Sequence, residues 1–193
     1  MYYIDHFTAL VQAIRLLYEK GLAVSGRGSV SERMSEDCVL LTPLGMHPLR
    51  IQPENLLESS LRTAPACAEH RAHRALYRAY APQAAAIAPL PYALALARAA
   101  GGDFAGILPE FLRAGFRVFD PGAGSSPAAK PAEKGKDPQR LLYLPGIGFA
   151  ALAATGLDCA GILEAAESAC KAECLLRLLQ APGGFCPGEG ARI

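Results

Sequence analysis

The run Ala84-Ala85-Ala86-Ile87-Ala88 constrains this chain more than any other feature. It is short and wholly apolar, as a strand covered on both faces must be. Before it, Ala72, Ala75, Leu76 and Tyr80 form an apolar stripe at helical spacing between Ala68 and Tyr80. After it, Pro91 opens an alanine-rich helix that ends at Gly101-Gly102. A buried strand between two helices implies a layered α/β structure.

The remaining elements fit that reading. Leu10, Val11, Ile14, Leu17 and Tyr18 recur at helical spacing, in a helix that Asp5 caps and Gly21 stops. The Gly/Ser turn from Val24 leads through Ser29 into a strand, and Cys38 to Thr42 reads as a buried strand ended by Thr42-Pro43-Leu44-Gly45. Pro53 to Leu57 reads as a short helix, Leu108 to Ala114 as another, and Phe116 to Phe119 as a strand. Arg140–Leu144 and Phe149–Ala153 read as strands around Pro145-Gly146, and Asp158 caps a long helix running to Gln180. Helices flanking a mixed sheet on both faces make an α/β sandwich over residues 1–180. Asp120 to Pro138, rich in Gly, Pro, Ala and Lys, is a flexible excursion within it, and 181–193 is a flexible C-terminal tail.

Length and composition bound the function. A chain of 193 residues suits one domain, which buries about 70% of its unfolded surface without staples. With 51% hydrophobic and 19% charged residues it is no disordered polymer. A net charge of +1 predicts no nucleic acid or anionic membrane as partner. No apolar stretch reaches the roughly 20 residues of a membrane span. Asp5 and His6 interrupt any signal peptide, so a cytoplasmic home is expected. Six cysteines without C-x-x-C spacing read as small core residues. The only histidines are His6, His47, His70 and His73. His6 and His47 read as solvated, and Arg33 as a surface residue or an anion or interface contact.

Several segments together carry a resemblance. Leu16-Leu17-Tyr18-Glu19-Lys20-Gly21-Leu22 ends a first helix. Ser25-Gly26 through Ser29-Val30-Ser31-Glu32-Arg33 resembles an S-G-x-x-G-N-I-S-x-R loop, one residue shorter. Leu41-Thr42-Pro43-Leu44-Gly45 resembles I-T-P-S-G, and Pro53-Glu54-Asn55-Leu56 resembles P-E-D-L. Glu69-His70-Arg71-Ala72-His73 with Leu76-Tyr77-Arg78 resembles S-S-E-x-x-x-H-x-x-I-Y-R, and Pro91-Tyr92-Ala93 resembles P-Y-A. In this order the segments are similar to the class II aldolase/adducin family, from about Leu10 to Leu179.

That resemblance implies a three-layer α/β/α sandwich with a central mixed, mainly antiparallel sheet, assembled as a homotetramer. It implies a zinc or other divalent ion held by three histidines, polarising a carbonyl as a Lewis acid. It implies Glu69 as the acid/base, His73 in support, and Ser25, Gly26, Ser29, Thr42 and Gly45 as ligand-binding residues. The departures weigh as much. The H-T-H-S ligands fall at Ile87 and Pro89, and the N-H-G ligand at Ile147, none of which has a lone pair to offer. The phosphate-binding serines fall at Leu44, Cys67 and Ala68, and the loop asparagine at Ser29. Glu69 and His73 share a helix face while His70 is turned about 100° away, so a relocated metal there has two ligands at best.

The expectation is therefore a divergent member with no metal cofactor and no metal-dependent aldolase activity, serving as a pseudoenzyme in small-molecule binding or assembly. The alternatives are a lyase or isomerase on a small carbonyl or sugar-like substrate with Glu69 as acid/base, and a hetero-oligomer completed by an active paralogue.

Overall fold

The computed structural model describes residues 2–23, 27–63, 68–100, 104–113, 116–120 and 140–180. The alanine run is the central strand β4 (Ala84–Ala88), and all five residues are buried. It lies between β1 (Ser29–Arg33) and β7 (Gly148–Ala153), antiparallel to both. Outside β1 come β2 (Cys38–Leu41) and β3 (Leu57–Ser60); outside β7 come β6 (Arg140–Leu144) and β5 (Arg117–Val118). The sheet order is β3-β2-β1-β4-β7-β6-β5. Every pairing is antiparallel except β5 with β6, so the sheet is mixed and mainly antiparallel.

The period-2 alternation of the strands divides the core in two. Ala84, Ala86 and Ala88 join Phe149, Ala151 and Ala153 beneath α1 (Tyr2–Glu19), α3 (Pro91–Ala100), α4 (Phe104–Ile107), α5 (Glu110–Arg113) and α6 (Gly156–Gln180). Ala85 and Ile87 join Val39, Leu41, Ala150 and Leu152 on the other face, beneath α2 (Ala68–Tyr80). This is the three-layer sandwich. Alanine suits the middle strand because its small side chain lets helices lie close on both faces.

Two glycines mark where that closeness is greatest. A Cβ on Gly148, at φ +148°, would sit 2.5 Å from the Ala88 carbonyl oxygen. A Cβ on Gly156 would sit 2.9 Å from Val30 Cγ1 and 3.3 Å from Ala13 Cβ, so only glycine lets α6 start against α1 and β1. Glu32, 4% exposed, accepts from the Gly156 backbone N–H at 2.8 Å and pairs with His6 at 3.1 Å. A carboxylate at a helix N-terminus meets unpaired N–H groups and the positive end of the dipole. Glu167 of α6 does the same for α3, taking the N–H groups of Tyr92 and Ala93 at 2.9 and 3.0 Å.

Several local expectations change. α1 begins at Tyr2, which places Asp5 inside the helix instead of at its cap. Thr155 caps α6: its hydroxyl accepts from Asp158 N–H and donates to the Asp158 carboxylate, a reciprocal pair that makes Asp158 the third helical residue. Pro53–Asn55 is a single 3₁₀ turn, and Leu57–Ser60 is an edge strand that its polar composition disguised. Of the short helix expected from Leu108 to Ala114, α5 forms after Pro109, and a further turn, α4, precedes Leu108 where none was expected. His6 is tied to Glu32 instead of being simply solvated. The Asp120–Pro138 excursion beyond Asp120 and the tail 181–193 lie outside the described residues.

Gly148→Ala combines backbone strain with a clash against backbone, so it should destabilise by roughly 2 kcal/mol or more. Gly161→Ala, at an exposed helical position with open space around it, should stabilise by about 0.5–1 kcal/mol. Urea denaturation midpoints of the two variants check both signs.

Candidate functional site

α2 is seated on the sheet by one imidazole. His73 is 1% exposed, and its Nε2 lies 2.8 Å from Ser29 Oγ while its Nδ1 lies 2.7 Å from Ser31 Oγ. Ser29 and Ser31 are alternate residues of β1, so both hydroxyls project toward α2. Ser31 Oγ also lies 3.1 Å from the Tyr77 hydroxyl and 3.3 Å from the Ala85 carbonyl. Burial drives the His73 pKa down to about 3, with the nearby His70 adding to the depression. The ring is therefore neutral, with one nitrogen donating and one accepting. A serine 2.8 Å from a histidine matches the spacing of a nucleophile and its base. Here Ser29 is 0% exposed, and the contact holds α2 in place.

Glu69 precedes His73 by four residues and shares its face of α2. Ser29 pairs with Ile87 and Ser31 with Ala85. One turn before His73 therefore lies at the end of the sheet where β4 finishes and β7 begins. Glu69 is half-buried there, and its Oε2 is buried without a hydrogen bond. Burial raises the Glu69 pKa, and the positive charge of Arg27 partly opposes the rise. His70 is half-buried; burial lowers its pKa, against a hydrogen bond to the Thr42 backbone. The Thr42 side chain is turned inward, its hydroxyl accepting from Val30 N–H at 2.9 Å. Gly45 is exposed at φ +76°. Ser25, Gly26 and Cys67 lie outside the described residues.

Ile87, Pro89 and Ile147 come together at the same end. The Ala88–Pro89 backbone lies against Gly148, and Ala88 pairs with Phe149. Ile87 is 2% exposed in the apolar cluster under α2, and Ile147 packs against that cluster. The donor set does not fit a divalent ion, because none of the three side chains carries a lone pair. Nor does a site on Glu69, His70 and His73 fit, since both nitrogens of His73 already face serine hydroxyls. Among the described residues no group of three or more His, Cys, Asp or Glu is placed to hold a metal.

Residues 8–174 match the sequence pattern of the class II aldolase and adducin N-terminal domain. The chain belongs to this family. Solved structures agree on the fold. The l-fuculose-1-phosphate aldolase of Thermus thermophilus superposes with a TM-score of 0.65 at 23% identity, covering 90% of this chain and 97% of that one. An aldolase II superfamily protein from Pseudomonas syringae gives 0.69 at 16%, over 96% and 81%. A sugar-phosphate aldolase from Thermotoga maritima gives 0.65 at 16%, over 97% and 100%. No curated protein matches by sequence alone. Two groups escaped the sequence reading, Glu32 and Glu167, whose carboxylates cap helices that are distant in sequence.

The neutral His73 has a consequence for stability. The unfolded chain takes up a proton on this residue below about pH 6.5, whereas the folded chain resists until about pH 3. Its contribution is full above pH 6.5 and is lost as pH falls toward 3, at up to about 1.4 kcal/mol per pH unit. His73→Gln removes that dependence. The stability gap between wild type and His73→Gln should narrow by about 2 kcal/mol between pH 7 and pH 5, as read from urea unfolding at both.

Proposed function

We propose that this chain is a class II aldolase-family protein without metal-dependent aldolase activity, keeping the fold for small-molecule binding or assembly. The supporting observation is the joint replacement at Ile87, Pro89 and Ile147, with the two isoleucines taken into the apolar cluster under α2. The fold survives such a change because its determinants are the strand pairings and helix caps, not a ligand set. By resemblance the assembly is a homotetramer in the cytoplasm, with neither nucleic acid nor membrane as partner. Among the described residues no helix is long and apolar enough to cross a membrane. Metal analysis of the purified protein and zinc titration by calorimetry test the reading. Substoichiometric metal and no saturable zinc binding are expected; one tightly held ion per subunit overturns it.

The unpartnered Oε2 of Glu69 supports a second reading, a lyase or isomerase acting on a small carbonyl or sugar-like substrate. A half-buried carboxyl whose pKa burial has raised holds its proton more readily than a free one, as a general acid requires. Glu69→Gln keeps the shape and removes the proton. On this reading it lowers turnover by about 100-fold or more, with an unchanged unfolding midpoint. Turnover that survives the substitution, or none in the wild type across aldol substrates, removes it. Co-purification of a metal-bearing paralogue from the native host would place the chain in a hetero-oligomer instead.

A further inference from the structure

A cavity of about 220 Å³ lies among α1, α3 and α6. It has the volume of roughly seven waters, or of a ligand with about that many non-hydrogen atoms. Lys20 and Leu22 reach it from just past α1, Tyr92 from the start of α3, and Glu164, Ser168 and Lys171 from α6. The last three recur at i, i+4 and i+7 and so form one stripe of that helix. None of these six residues is among those that the family resemblance assigns to metal, phosphate or ligand.

The charges on its wall are paired only in part. Glu164 Oε1 lies 2.6 Å from Lys20 Nζ. Glu164 Oε2 and the Lys171 ammonium make no ion pair among the described residues. The ammonium lies 5.8 Å from the centroid of the Tyr92 ring instead, a contact that holds a cation and leaves its N–H donors unspent. Ser168 adds a hydroxyl that can donate or accept. The first N–H groups of α3 are already taken by Glu167, so recognition falls to side chains. Lys20 and Lys171 stand around the hollow with Glu164 and Glu167. A simple anion would meet the two carboxylates and a simple cation the two ammonium groups, each at a like-charge cost. A ligand carrying both signs meets an opposite charge at each end. Glu164 and Lys171 are seven residues apart, about 10 Å along the helix axis. A short zwitterion with one hydrogen bond at each end spans that distance.

We propose that this cavity binds a small apolar α-amino acid. Its carboxylate meets Lys171 and Ser168, its ammonium meets Glu164, and its side chain lies on Leu22 and the Tyr92 ring. Calorimetric titration with L-valine, isovalerate and isobutylamine tests this, since the last two each keep one charged end of valine. Valine should saturate one site per chain and bind at least tenfold more tightly than either. Lys171→Gln and Glu164→Gln should each weaken valine at least tenfold with an unchanged urea midpoint. Arg98→Gln, which removes an exposed arginine of α3 outside the cavity, should leave binding as it is. The proposal is overturned if valine shows no saturable binding, or if isovalerate or isobutylamine binds as tightly as valine does. It is equally overturned if Lys171→Gln or Glu164→Gln, still folded, weakens valine no more than Arg98→Gln.

Discussion

The neutral, buried imidazole of His73 is the contact on which the placement of everything at the candidate site rests. α2 is the only helix among the described residues over its face of the sheet, and its apolar stripe alone would allow it to slide along the strands. A histidine bonded at both nitrogens to Ser29 and Ser31 specifies one register. Polar contacts in an apolar layer are directional, and breaking them strands buried groups, so they select among packings that hydrophobic contact leaves nearly equal. With His73 placed, Glu69 is carried one turn further, to the end of β4.

On the other face the same problem is met with charge. Glu32 and Glu167 are buried carboxylates, each satisfied by backbone N–H groups at a helix start. Their role explains why α3 and α6 begin where they do. It also explains how an alanine-rich core with little side-chain shape to interlock reaches a single arrangement. Ile87 and Ile147 extend the apolar layer under α2, so the site is polar on its helix side and apolar on its strand side.

Much of the fold was legible in the residues. The wholly apolar Ala84–Ala88 run marked the central strand, and its neighbours followed from short β-branched or leucine-rich runs between turn residues. β3 was not legible, because Leu57-Glu58-Ser59-Ser60 is an edge strand facing solvent and carries no apolar alternation. The α6 cap was misplaced by three residues because Thr155 and Asp158 are both good capping types, and only the direction of the hydrogen bonds separates them. At the site, Glu69 and His73 stood out from their spacing. What His73 does was not legible, since its partners are 44 and 42 residues away.

Residue types and their local order were enough for the family, the layered α/β plan and the apolar identity of Ile87, Pro89 and Ile147. They could not say that the Ser29 and Ser31 hydroxyls meet His73 and that the Thr42 hydroxyl meets Val30 N–H. The assembled fold leaves Glu69 with an unpartnered oxygen. Which face a side chain takes, and what meets it there, depends on strand register and on contacts between residues far apart in the chain. These come into being only when the sheet and its two helical layers pack together.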